Sequence, residues 1–134
     1  KQEHEQALYD YGHNLGIAFQ IMDDILDFSV SERQMGKSAR SDLAQGQITL
    51  PTFFALQNAQ HSDELKSLID KKLVLESEQE RAFEIVISSN ALERCHKEAR
   101  FYIEKARNAL TLLPETPALQ ALNELAEFSI QRSE

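Results

Sequence analysis

The chain has 134 residues, 42% hydrophobic and 27% charged, with no tryptophan and a single cysteine. That is enough for one domain with its own core. The formal net charge of −8 argues against a nucleic-acid partner, and no uncharged apolar run of about 18 residues exists to span a membrane. The one cysteine, Cys95, excludes an internal disulfide framework and suits a reducing compartment. It lies in a helical pattern and reads as a packing residue. No signal peptide opens the chain, and Lys1 already stands in what reads as a helix, the expectation for part of a longer protein.

The first predicted helix runs from about Glu3 to Phe28. Its final turns, GIAFQIMDDILDF, place Asp23, Asp24 and Asp27 inside an otherwise apolar helical pattern. Carboxylates one, three and four residues apart share a face and repel by roughly 0.2–0.5 kcal/mol per pair. Withdrawing each from water costs several kcal/mol unless something compensates. At about 100° per residue, one stripe collects Tyr9, Gly12, His13, Gly16, Gln20 and the three aspartates. Leu15, Ile17, Ala18, Phe19, Ile21, Met22, Ile25, Leu26 and Phe28 fill the rest. A helix apolar nearly all round is buried, so the polar stripe is expected to line a cavity in which the acids gather around divalent cations. The two glycines cost about 1 kcal/mol each relative to alanine, which predicts close approach by a neighbouring helix or a ligand. His13 is expected to make a structural hydrogen bond.

The polar segment SVSERQMGKSARSDLAQGQ follows, and irregular segments of this length are usually functional or disordered. Three aspartates without His or Cys in register fit Mg²⁺ better than Zn²⁺. Mg²⁺ usually shares one or two carboxylates with substrate phosphates. Lys37 is then expected to reach a diphosphate oxygen, whereas Arg33 and Arg40 read as surface residues.

The remaining predicted elements are all helices. Pro51 lies in the first turn of one that runs to about Gln60. Ser62 caps another, ending near Lys72. Ser77 with Glu80, and Asn90 with Glu93, have capping-box spacing for helices to about Ser88 and Leu113. Thr116-Pro117 starts the last, to about Gln131. No strand alternation is present, so the fold class is all-α, a helical bundle forming one segment over residues 1–134. Arg94, Lys97, Arg100, Lys105 and Arg107 interleave with Glu93, Glu98 and Glu104 as solvated faces. Ala99, Tyr102, Ile103, Ala106, Leu110 and Leu113 recur at core spacing.

FQIMDDILDF resembles the second aspartate-rich motif, DDxxD preceded by Phe-Gln, of the trans-isoprenyl (polyprenyl) diphosphate synthases. MGKSARSDLAQGQITLP is similar to that family's GK-x-x-G-x-DL-x-x-GK-x-TLP segment. KEARFYIEKARNALTLLP and LAEFSIQR look like its C-terminal helices. The resemblance implies the C-terminal part of the isoprenoid synthase fold. It also implies a cytoplasmic, usually homodimeric enzyme that joins isopentenyl diphosphate to an allylic prenyl diphosphate. By the same resemblance Asp23 and Asp27 coordinate Mg²⁺, with Asp24 beside them. Lys37 holds the allylic diphosphate, Gln20 hydrogen-bonds near it, and Asp42 orders metal-bound waters. Arg40 stands where the family usually has Gly, and Gln47 where it usually has Lys. The first aspartate-rich motif and the basic GGKRxRP-like segment are both missing, so these residues alone are expected to be inactive. Two other readings stay open: a non-catalytic subunit related to the family, and a helical interaction module.

Overall fold

A computed structural model describes residues 1–29, 42–43, 45–58 and 60–131. Among the described residues the longer helices are, in order, α1 (Gln2–Ser29), α2 (Leu50–Asn58), α3 (Ser62–Asp70), α4 (Glu76–Ser88), α5 (Ala91–Ala109) and α6 (Pro117–Gln131), with a 3₁₀ turn, Leu110–Leu112, after α5. No strand occurs among the described residues, and the fold is all-α. None of the helices is long and apolar enough to cross a membrane.

The chain divides into two compact units. One combines Lys1–Met22 with His96–Glu134, and the other is Asp23–Cys95. In the first unit, Ala7, Tyr11, Asn14, Ala18 and Ile21 are buried on α1. They alternate in steps of four and three, the 3.5-residue period of a narrow packing seam. Ala99, Ile103, Ala106 and Leu110 form the buried face at the other end of the sequence, joined by Leu119, Ala126 and Ile130. The Tyr11 hydroxyl donates to the Leu122 carbonyl of α6 at 2.6 Å, and burial raises its pKa. Arg107 bonds Glu127 at 2.9 Å, an exposed pair of small energetic weight.

In the second unit α2, α3 and α4 pack on one another. Leu65, Leu73, Phe83, Ile85 and Val86 supply its core. Cys95 is fully buried, as its packing role predicts. Arg94 departs from the solvated face expected of it. It is half-buried, with its guanidinium 4.0 Å over the Phe54 ring and Nη1 buried without a hydrogen-bond partner among the described residues. An arginine can serve as packing surface in this way because its flat, weakly hydrated head stacks on an aromatic face.

The helix starts shift slightly from the sequence reading. Ser62 does not cap α3: His61 precedes it, with no side-chain cap bond. The box expected at Ser77 and Glu80 falls two residues earlier, where Glu78 Oε1 accepts the Leu75 amide at 3.0 Å. Asn90 stands at the start of α5 as expected, its carbonyl accepting the Arg94 amide at 3.0 Å, but the side-chain bond comes from Ser89, whose Oγ accepts the Ala91 amide at 3.1 Å. Thr116 caps α6 as expected, its Oγ1 accepting the Leu119 amide at 3.1 Å.

Candidate functional site

The acidic end of α1 is fixed from its apolar side. Met22, Ile25 and Phe28 are buried, and Phe28 stacks on Phe83 of α4 with ring centroids 5.4 Å apart and planes at 12°. That leaves Asp23, Asp24 and Asp27 half-buried on the remaining face. Phe83 is a supporting residue the sequence reading did not single out. Its only signal there was its place on an apolar helical face.

The chain re-enters at Asp42, also half-buried, beside the buried Leu43. A tight turn holds this segment, with the Gly46 amide on the Leu43 carbonyl at 3.1 Å and the Gln47 amide on the Asp42 carbonyl at 2.8 Å. Gly46 has φ +80°, a left-handed conformation that glycine adopts without steric cost. Leu50 and the buried Pro51 then open α2, as the first-turn proline predicts.

Asp27 reports the electrostatics. Its pKa is raised above the ordinary aspartate value, first by burial, then by the charges of Asp42 and Asp23. Asp42, fifteen positions along the chain, therefore acts on the same carboxylate as its helical neighbour Asp23. Both effects disfavour the ionised form, and a divalent cation would reverse the balance. The donor set is carboxylate oxygen, the chemistry that hard cations take. Among the described residues, no three His, Cys, Asp or Glu are grouped closely enough to enclose a metal ion by themselves.

Gln20 is exposed, one turn before Asp23 and Asp24 on the same helix. Lys37 lies outside the described residues, as do Arg33, Gly36 and Arg40. Gln47 is exposed. The N-terminal part of the stripe differs from expectation. Tyr9 is 65% exposed, and His13 stacks on it at 5.9 Å between ring centroids in place of the expected hydrogen bond. A Cβ added at Gly12 or Gly16 would meet nothing within 4 Å, so no neighbour within the described residues uses the space they leave. Phe19, expected on the buried side, is 45% exposed. The 3.5-residue seam buries a narrower arc than the apolar composition of α1 suggests.

Residues 1–86 match the family model described as Polyprenyl synthetase. The chain is 39% identical over 127 residues to a probable mitochondrial hexaprenyl pyrophosphate synthase of Neurospora crassa, covering 95% of this chain and 28% of that protein. It is 38% identical over 134 residues to the all-trans-nonaprenyl-diphosphate synthase (geranyl-diphosphate specific) of Rhodobacter capsulatus, covering 98% and 41%. Among solved structures, a polyprenyl synthase from Caulobacter crescentus, complexed with calcium and isoprenyl diphosphate, superposes with a TM-score of 0.84 at 34% identity, covering 100% of this chain and 42% of that one. A geranylgeranyl pyrophosphate synthase from Corynebacterium glutamicum, with the same ligands, gives 0.87 at 29%, covering 99% and 41%. The chain thus spans under half the length of each of these relatives.

Proposed function

This chain belongs to the polyprenyl synthetase family, and we propose that it supplies one wall of a trans-prenyltransferase site that joins isopentenyl diphosphate to an allylic prenyl diphosphate. The carrying observation is the crowding of Asp23, Asp27 and Asp42, which together with burial raises the pKa of the Asp27 carboxyl. Asp23 and Asp27, with Asp24 beside them, would hold Mg²⁺ together with the substrate's diphosphate oxygens. Shared coordination of this kind needs fewer than three carboxylates per ion, which fits the spread of the acids along α1. The Caulobacter and Corynebacterium structures are complexes with a divalent cation, calcium, and an isoprenyl diphosphate.

Mg²⁺ held by these aspartates would supply positive charge to offset the departing diphosphate. The chain's own residues hold and orient. The aspartates are ligands, with no proton to give or take in the reaction. Lys37 would hold the allylic diphosphate with a point charge, Gln20 would donate to the same group, and Asp42 would order water around the metal. The double bond of isopentenyl diphosphate attacks the allylic carbon, and loss of a proton restores an alkene. Residues 1–134 carry a single DDxxD and no GGKRxRP-like segment. The second substrate therefore needs a wall these residues do not contain, and this chain alone is expected to be inactive. A homodimer of the whole enzyme and a cytoplasmic location complete the reading, although the relatives include mitochondrial and chloroplastic proteins.

Asp23→Ala in the whole enzyme tests the assignment. Prenyl transfer, followed with labelled isopentenyl diphosphate, is expected to fall on the order of a hundredfold or more, with the circular dichroism spectrum unchanged. Wild-type turnover in that variant would remove Asp23 from the site.

A further inference from the structure

On the reading of Asp23, Asp24 and Asp27 as Mg²⁺ ligands, we propose that Phe83 of α4 is their positioning residue, keeping the last turn of α1 wound before a cation arrives. Asp27 lies in that turn, and the helix ends at Ser29. The last carbonyls of a helix have no partner within it, and their negative end of the dipole disfavours a carboxylate. The last turn of α1 carries no basic residue to offset this. Asp23 is a like charge at the unfavourable i,i+4 spacing, and Asp42 acts on the same carboxylate. Each of these effects favours unwinding, which would carry Asp27 away from Asp23.

What opposes them is apolar. Past Ile25, Leu26 and Asp27 are half-buried, whereas Phe28 is buried, so Phe28 is the seat of the turn. Its ring lies nearly parallel to that of Phe83, at 12° with 5.4 Å between centroids, the offset stacking that aromatic pairs favour. Phe83 is itself buried, as are Ala82, Ile85 and Val86 on the same helix, which makes α4 a fixed support. A flat ring held in one plane restricts the rotation of the ring stacked on it. Phe28 and Asp27 are neighbours in one turn, so holding the first orients the second. The gain is in cation affinity. A turn already wound presents its carboxylates without an ordering cost, whereas one wound a tenth of the time binds about tenfold more weakly. Phe83 contributes no ligand atom and acts through Phe28.

Phe83→Leu in the whole enzyme keeps an apolar filler and loses the flat ring. Ile85→Val, a truncation elsewhere on α4, is the comparison. In metal-free protein, Phe83→Leu is expected to speed amide hydrogen exchange at Leu26, Asp27 and Phe28 on the order of tenfold, and Ile85→Val to leave it unchanged. The Mg²⁺ concentration for half-maximal prenyl transfer should rise about tenfold in Phe83→Leu alone, with kcat recovered at saturating Mg²⁺. Phe28→Leu removes the same stack from the other side. It should reproduce both changes, it answers where Phe83→Leu does not fold, and combining the two should add little to either alone. An unchanged Mg²⁺ midpoint, a midpoint that moves equally in Ile85→Val, or unaltered exchange at the end of α1 would each overturn the proposal. Wild-type turnover indifferent to Mg²⁺ would overturn the ligand reading, and this role with it.

Discussion

Two carboxylates of the same unit have opposite fates. Glu64 on α3 is met by Arg81 of α4 through two hydrogen bonds of 2.6 and 2.8 Å. That guanidinium lowers its pKa, with Arg81's charge and His61 adding to the effect. Asp27 is met by burial, Asp42 and Asp23, and its pKa rises. The fold completes the first carboxylate by itself, whereas burial and like charge act on the second. The difference separates a surface ion pair from the crowded carboxylate that the proposed cation would relieve.

The largest expected effect lies in the support beneath the acids. Phe83→Ala removes the ring on which Phe28 stacks and leaves a cavity, at a cost of about 3–5 kcal/mol readable in urea unfolding. A variant of wild-type stability would mean that the acidic end of α1 is not held by this stack.

Asp27→Asn probes the crowded carboxylate directly. Its folded pKa lies above the unfolded value. Protonated Asp27 therefore contributes stability that is fully present below the ordinary aspartate pKa and is lost as pH rises through the folded value. The variant is expected to melt above wild type at neutral pH and to match it in acid. Millimolar Mg²⁺ should narrow the neutral gap by raising wild type alone. An equal gap at every pH would show that charge at Asp27 is not the cause.

The smallest effect is expected from Arg81→Ala. Glu64 has a lowered folded pKa, so its contribution is present above the ordinary glutamate pKa and lost as pH falls through the folded value. Both partners are exposed, and solvent screens the pair. The melting temperature should hardly move at neutral pH and should coincide with wild type in acid. A large loss at neutral pH would make this pair a structural clasp and erase the contrast with Asp27.

Much of this molecule is legible in its sequence. α1 was expected at Glu3–Phe28 and runs Gln2–Ser29; α6 was expected at 116–131 and runs Pro117–Gln131. The longest miss is α5, expected to reach Leu113. It ends at Ala109 and tightens into a 3₁₀ turn whose Leu113 amide meets the Leu110 carbonyl. Capping was less legible. Ser62, Ser77 and Asn90 all have capping chemistry, yet the side-chain bonds fall on neighbours or on none, because a cap depends on the path of the chain just outside the helix. On α1 the apolar letters do not tell which arc is covered, so Phe19 was placed inside and stands half-exposed.

The sequence by itself determined the helical class, the order of the helices and the family. Periodicity and a contiguous motif are local properties that survive without knowledge of what packs on what. Only the tertiary structure decided that Asp42 returns to act on Asp27 and that Phe83 lies under Phe28. Each of these depends on distance between atoms of separate segments, and burial and Coulomb energy follow from that distance, whatever the spacing of the letters.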